Sequence, residues 1–445
     1  MKLVQSYMRL VKKLLPSPFA IAVILTFMSA LLAIIFTKTP SGHNPIVRVI
    51  DHWHTGIWEL LKFTMQMMLM LVLGHTIALS KLASNAIDKI VKVCKTNAQA
   101  AIFVSLFSLL MGYFNWGLGL VFGAILARKV GEYAKTNGIS LNYPLIATCG
   151  YISLMVWHGG LSGSAPLTVS DPTHSLVAEI GVIPISGTVF ATPNLVSILV
   201  TLIVLPLFAW FIAKRDYVPT FPSLIKNKKE ISTEEVTGAD KLDYSKWIGT
   251  SFGLVFIGYS ILKIMTSEDV FTYINLDTIN FALFGIALLS HQSLNRFTGA
   301  AEKAIKGSTG IMIQFPLYAG IMGIMKYSGL LEVFAEFFIQ ISSTESFPFF
   351  AFLSSAFINI LVPSGGGQWQ VQGPILIEAA NALNVSHTKT IMALAYGDQL
   401  TNMLQPFWAL PLLGITGLKA KEILPYSILF MLVGGLIFTS ILYLF

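Results

Sequence analysis

The chain has 445 residues, of which 54% are hydrophobic and only 11% charged, and its mean hydropathy is +0.71. Soluble domains carry about 25% charged residues. This composition therefore excludes a soluble enzyme, a disordered chain and a nucleic-acid-binding module, and it points to an all-α polytopic membrane protein embedded in a lipid bilayer.

The formal net charge of +7 marks no nucleic-acid surface. Lys and Arg sit in short stretches between apolar runs, where they set orientation. Two cysteines, Cys94 and Cys149, exclude a disulfide framework and a cysteine-rich metal site.

Residues 1–15 place Lys2, Arg9, Lys12 and Lys13 opposite Leu3, Tyr7, Leu10, Val11 and Leu14. That pattern predicts an amphipathic helix on the membrane surface, ended by Pro16 and Pro18, rather than a cleaved signal peptide. Apolar runs then predict spans at 19–37, 57–79, 194–212, 247–265, 277–290, 310–327 and 424–444. Basic residues cluster before the first span, in 80–96, in 214–246, around Arg296–Lys303–Lys306 and at Lys419 and Lys421, whereas 168–193 and 266–277 have none. The positive-inside rule puts the N-terminus in the cytoplasm and the C-terminus in the periplasm.

Two regions are too short or too broken for plain spans. Lys95 and Arg128 both belong inside, yet the stretch between them is too short for two crossings, which need about 40 residues. It is interrupted by Asn115-Trp-Gly-Leu-Gly. This predicts a re-entrant helical hairpin near 98–135. The stretch 347–384, broken by Pro363-Ser-Gly-Gly-Gly-Gln, predicts a second. Broken helices are expected near 143–170 and 388–415, where apolar helix meets Trp157-His-Gly-Gly-Leu-Ser-Gly-Ser-Ala-Pro and Met403-Leu-Gln-Pro-Phe-Trp. Irregular backbone at membrane depth is tolerated where it is buried in protein or lines a cavity.

These features recur in order at one near-constant offset: Gln66 with Gln314, Gly117 with Gly365, Gly119 with Gly367, and Gly150 with Gly397. Counting crossings gives the two halves opposite orientation. An inverted repeat with broken helices is the signature of a secondary transporter. The expected organisation is a surface helix and first span in 1–56, repeat 1 in 57–213, a cytoplasmic linker in 214–246, and the remaining spans with repeat 2 in 247–445.

Four motifs, Asn115-Trp-Gly-Leu-Gly, Trp157-His-Gly-Gly-Leu-Ser-Gly-Ser-Ala-Pro-Leu, Val362-Pro-Ser-Gly-Gly-Gly-Gln-Trp and Gly397-Asp-Gln-Leu-Thr-Asn-Met-Leu-Gln-Pro-Phe-Trp, resemble the bacterial short-chain fatty acid transporter family (AtoE-like) of the ion transporter superfamily. The resemblance spans nearly the whole chain. It implies a homodimer in the bacterial inner membrane and an elevator-type cycle. It also implies cation-coupled symport of small monocarboxylates such as butyrate or acetoacetate, with Na+ or H+ as the coupling ion and no other cofactor. The Ser-Asn-Thr tips of the related dicarboxylate symporters are absent from this sequence, which argues against a dicarboxylate substrate and against the sodium ligands of those symporters.

A short fatty acid presents one carboxylate and a small apolar tail. Helix N-termini bind carboxylates through free N–H groups. Ser364, Gly365, Gly366, Gly367 and Gln368 lead into such a helix, and Asn115, Gly117 and Gly119 stand in the same place in the other half. Ser162 and Ser164 add hydroxyls, His158, Asn359 and Gln405 add polar groups, and Trp116, Trp157, Trp369 and Phe407 offer apolar lining. No Lys or Arg falls within the four motifs, so the anion would be held by neutral donors. Asp398, with Asn402 one turn on, is the candidate for cation coupling, because a carboxylate at membrane depth is functional by default. His158 is the parallel candidate in the first half, a proton carrier or else a structural hydrogen-bonder.

Competing motifs are weaker. Gly160-Leu-Ser-Gly fits an intramembrane protease, but His158 is too close in sequence to act as its base. Asp51-His-Trp-His54 offers metal ligands in what reads as an outer loop. No Lys follows the Gly-rich runs, so there is no P-loop. Transport of other small organic anions, a channel and a hydrolase remain as alternative functions; counterflow separates a carrier from the last two.

Overall fold

The computed structural model describes residues 17–38, 43–80, 91–172, 174, 176–215, 217–222, 238–267 and 276–445. The surface helix expected in 1–15 and residues 216 and 223–237 of the 214–246 linker lie outside these residues. The described chain is helical; its only β contact is an isolated bridge between Asn142 and Thr220. Six helical stretches are long and apolar enough to cross a membrane, or seven if one pair bent by 55° counts as a span. The chain is a multi-pass membrane protein.

Local chemistry sets the helix starts. In α1 (Pro18–Phe36), Ser17 caps the first turn and Pro18 occupies N1, where a missing N–H does no harm. Asn44 and Pro45 repeat the device at α2 (Pro45–Glu59), which runs past Leu60 into α3 (Leu61–Ala78). The second expected span therefore begins twelve residues earlier than the apolar run suggests. Asp51, His52 and His54 lie on a helix and not in an outer loop, and no group of three His, Cys, Asp or Glu fit for a metal occurs among the described residues. Trp53, between them, packs against Gly320.

At both places where a hairpin is expected, two helices meet at a short turn. The first pair is α4 (Asn97–Phe114) and α5 (Trp116–Thr136), meeting at Asn115. Its arms touch backbone to backbone: a Cβ on Gly119 would lie 2.5 Å from Gly112 Cα. The chain then makes α6 (Tyr143–Tyr151), a 3-10 turn over Ile152–Met155, the irregular stretch 156–163, and the short α7 (Ser164–Ser170).

Next come α8 (Thr192–Ala213), α9 (Lys246–Thr266), α10 (Leu276–His291), α11 (Leu294–Ile305) and α12 (Thr309–Ser328). The acidic stretch after α12 is itself a helix, α13 (Leu330–Gln340), with Leu330 and Leu331 buried. The second hairpin is α14 (Phe347–Leu361) and α15 (Gly365–Ala382), and its broken helix is α16 (His387–Thr401), a 3-10 turn over Asn402–Leu404, and α17 (Pro406–Thr416). Gly417, at φ 73°, ends α17 before α18 (Ala420–Leu444).

Packing sorts these helices. α12 lies along α1 and α2, and α3 packs with α10 and α11. The hairpins pack on the broken helices: α14 on α16, α5 on α6, and across the halves α17 on α5 and α15 on α7. Apolar burial drives little association inside a bilayer, so small residues and polar contacts matter more. Gly123 and Gly150 meet backbone to backbone, and Gly397 meets the Phe352 carbonyl. Asn97 donates to Ala213 O at 2.8 Å and accepts from Asn142 N at 2.9 Å, tying α4 to the end of α8 and the start of α6. Gln66, one of the repeat markers, donates to Asp277 at 2.6 Å and thus joins α3 to α10, outside the hairpin region.

Candidate functional site

The four motifs converge, and they do so crosswise. The tip of the second hairpin sits against the first helix break: a Cβ on Gly365 would lie 2.7 Å from Trp157 Cη2 and 2.8 Å from His158 Cε1. The tip of the first hairpin meets both breaks. The Trp116 N–H donates to Ser162 Oγ at 3.0 Å, and the Trp116 ring contacts Trp157 (6.2 Å between centroids) and Trp408 (5.1 Å) edge-on. Phe407 stacks on Phe315 at 3.8 Å and meets Trp408 and Tyr318 edge-on. The result is an aromatic wall with almost no water exposure.

Helix N-termini leave their first N–H groups without intrahelical partners. At α5 these groups are occupied: Asn115 Oδ1 accepts from Gly117 N and Leu118 N, both at 3.0 Å, and Ser162 takes Trp116 N. At α15 Ser364 Oγ accepts from Gly367 N at 3.1 Å. The N–H groups of Gly365 and Gly366 remain available as first-turn donors. Ser164 faces Gly366, whose Cβ would stand 3.8 Å from the Ser164 Cβ, an ordinary contact.

Other predicted residues fall away from the tips. Gln368 Nε2 donates to Ser355 O at 2.9 Å and Gln372 Oε1 at 2.8 Å, so its amide joins the two arms of its own hairpin. Trp369 is buried and packs back on Gly373 one turn along. Gly119 serves the packing of its hairpin.

Behind the tip lies a buried polar cluster. Asp398 and His158 are 1% and 0% exposed, with His158 Nδ1 2.7 Å from Asp398 Oδ2. His158 Nε2 accepts from Ala165 N at 3.1 Å. An accepting Nε2 assigns the proton of the neutral ring to Nδ1, which therefore donates to Asp398. Asp398 Oδ1 has no partner. Asn359 Nδ2 donates towards Asp398 O at 2.7 Å, Asn402 Oδ1 at 2.9 Å and Thr401 Oγ1 at 3.0 Å. Gln405 donates to Asn359 O. Asn359 Oδ1, Gln405 Oε1, Asn402 Nδ2 and Trp157 Nε1 are buried without partners. The Asp398 carboxyl thus has one side-chain partner, His158, and an open Oδ1.

Sequence reasoning missed several residues here. Gln399 Oε1 accepts from His158 N at 3.1 Å and Gly159 N at 3.4 Å, holding the first break to the second helix. Tyr151 OH donates to Asn402 O and, at 3.1 Å, to Gln405 O across the second break. Gln399 and Trp408 lie inside a motif and were legible from it. Tyr151 and Tyr318 stand in mostly apolar helices, where no pattern singles them out.

Known proteins share this chain's sequence. The family model described as short chain fatty acid transporter matches residues 1–445. A relative in Escherichia coli K12, provisionally named a short-chain fatty acid transporter, is 35% identical over 98% of this chain and 98% of its own length. One of the same name in Haemophilus influenzae is 36% identical over 97% of this chain and 95% of its own. Among solved structures, the YdaH transporter of Alcanivorax borkumensis aligns over 96% of this chain and 98% of that one, with a TM-score of 0.46 and 14% identity. Neisseria gonorrhoeae MtrF, described with a class of antimetabolite efflux pumps, aligns over 97% of each chain, with a TM-score of 0.43 and 15% identity. Neither of these two likenesses is close enough to transfer a property. The full-length sequence match decides the matter: the chain belongs to the short-chain fatty acid transporter family, whose members are membrane transporters and not enzymes.

Proposed function

We propose that the protein is a secondary active transporter of short-chain monocarboxylates such as butyrate or acetoacetate, coupled to a cation. The observation that carries this reading is the second hairpin tip. It presents the open N–H groups of Gly365 and Gly366 beside an aromatic wall, in motifs without Lys or Arg. One carboxylate fits the donors and a short apolar tail fits the wall. A buried carboxylate at Asp398, with its Oδ1 open, would take the coupling cation, either a proton or a sodium ion helped by Asn402. His158 is the alternative proton carrier.

The pattern of hairpin then broken helix, found twice, supports an inverted repeat with the N-terminus in the cytoplasm and the C-terminus in the periplasm of the bacterial inner membrane. In this reading α1–α3 and α9–α12 form a scaffold and the hairpins with their broken helices a moving unit, in an elevator-type cycle within a homodimer. Reconstitution tests the reading. In proteoliposomes, preloaded butyrate should accelerate entry of labelled butyrate, and either a proton or a sodium gradient should drive accumulation. Flux without such trans-stimulation would indicate a channel instead.

A further inference from the structure

α12 has two different faces. One packs on α2: a Cβ on Gly320 would lie 2.5 Å from Trp53 Nε1, and one on Gly323 2.6 Å from Gly56 Cα. The other carries Phe315, Tyr318 and Met322, whose spacing of three and four places them in one row. At one end of the row Phe315 stacks on Phe407, just past the second helix break, and Tyr318 meets the same ring at 5.3 Å. At the other end Met322 Sδ is 3.5 Å from where a Gly367 Cβ would stand, at the second hairpin tip.

Tyr318 lies between these two contacts. It is 1% exposed, and its hydroxyl has no hydrogen-bond partner. A buried phenol normally finds a partner for its O–H. Its ring is fixed against Phe407, so the hydroxyl cannot swing out to water. One turn along the same row, Met322 reaches the tip that supplies the open N–H groups of Gly365 and Gly366, and Trp157, against the other side of the tip, has an unpartnered indole N–H. Open N–H donors at one tip, in motifs without Lys or Arg, describe a site for an anion.

We infer that the Tyr318 hydroxyl donates a hydrogen bond to the substrate carboxylate, completing from α12 the anion site that the second hairpin tip begins. The inference rests on the monocarboxylate reading above and names a residue outside the four motifs. A carboxylate accepts about four hydrogen bonds, more than two tip N–H groups supply. With no cation from Lys or Arg in the motifs, each neutral donor carries more of the preference for an anion over an uncharged isostere. The bond would also join two sets of helices, because α12 packs on α1 and α2 while the tip belongs to the hairpins. Substrate held between them would be sensed on both sides.

The experiment compares wild type with Tyr318→Phe in proteoliposomes, reading butyrate counterflow and its inhibition by butyramide, the neutral isostere. The variant keeps the ring on Phe407 and removes one oxygen. A hydrogen bond to a charged group is worth about a tenfold to hundredfold change in half-saturation. That rise is expected for butyrate, with the maximal rate little changed, and the preference for butyrate over butyramide should shrink. Half-saturation and discrimination equal to wild type would overturn the donor role. Tyr318→Met, which follows the methionines already on α12, serves the same readings if the Phe variant does not fold. Absence of wild-type counterflow would remove the transport reading itself, and the donor role with it. Normal wild-type counterflow with unchanged variants would remove the donor role alone.

Discussion

At the tip of the first hairpin, Asn115 Oδ1 accepts from Gly117 and Leu118 while Ser162 Oγ takes the Trp116 N–H. At the tip of the second, Ser364 Oγ accepts only from Gly367, and the N–H groups of Gly365 and Gly366 stay open. Both tips use an N-cap residue at the start of a helix, as any helix entry does. The partner across the gap makes the difference. Ser162 reaches from the first break and closes the first tip into a joint. Ser164, two residues on, stands at ordinary contact distance from Gly366 and leaves the second tip unfilled. Two halves of similar layout thus differ at their tips: one tip is a closed joint, and the other keeps two N–H groups open. The buried carboxylate follows the same division. Asp398 belongs to the second half, and the first half answers it with the imidazole of His158.

The largest effect should come from removing that carboxylate. Asp398→Asn keeps the size, and its amide oxygen can still accept from His158 Nδ1, so the junction survives. The titratable charge does not. Gradient-driven accumulation of butyrate should fall to the equilibrium level while exchange continues. Accumulation at the wild-type rate would show that Asp398 serves only the junction with His158, and the coupling site would then be sought at His158.

Next in size is the asymmetry between matched glycines. A methyl group at Gly365 would press on the rings of Trp157 and His158, which are held in turn by Trp116 and Asp398. Such overpacking amounts to about 1–3 kcal/mol, so Gly365→Ala should slow transport about tenfold to hundredfold. Its mate Gly117 is crowded by Met70 alone, Sδ at 2.5 Å and Cε at 2.8 Å, the end of a flexible side chain, with Asn115 Oδ1 at an ordinary 3.5 Å, and Gly366 has room. Gly117→Ala and Gly366→Ala should both transport within about threefold of wild type. Equal losses at all three positions would erase the difference between the tips.

Much of this was legible before the coordinates. Asn, Gly and Pro inside apolar runs marked both hairpin tips and both breaks, because a helix cannot pass such clusters unbroken. The recurrence of these clusters at one near-constant offset was visible for the same reason. What the sequence left hidden was pairing across the chain. Asn115 and Ser364 are both good caps, and nothing nearby tells which of them has a second partner 46 residues away, as Trp116 has in Ser162. Nothing in the run Gly365-Gly-Gly367 marks which glycine is crowded; the crowding falls on Gly365, whose Cβ would meet Trp157 and His158. The start of α2 was overlooked although Asn44-Pro45 announces it. Its mixed polar face, with Asp51, His52 and His54, hid the helical period from a search for apolar runs.

The finest test compares the two caps themselves. Asn115→Ala frees two N–H groups inside a closed joint, with no ligand to satisfy them, and should lower stability by about 1–2 kcal/mol. The thermal unfolding midpoint in detergent should drop accordingly. Ser364→Ala frees one N–H beside two that are already open to an anion, so its effect on the ligand-free midpoint should be smaller. Butyrate separates the two variants more sharply than stability does. A ligand that binds only the folded state raises the midpoint in proportion to its occupancy. Asn115→Ala should start lower yet show the full butyrate-induced rise, since its tip holds no ligand. Ser364→Ala should start near wild type and show a reduced rise, because losing the cap loosens the turn that aims Gly365 and Gly366. The opposite pattern, with the rise lost at Asn115 and kept at Ser364, would place the anion at the first tip and would require its occupied N–H groups to open before substrate can bind.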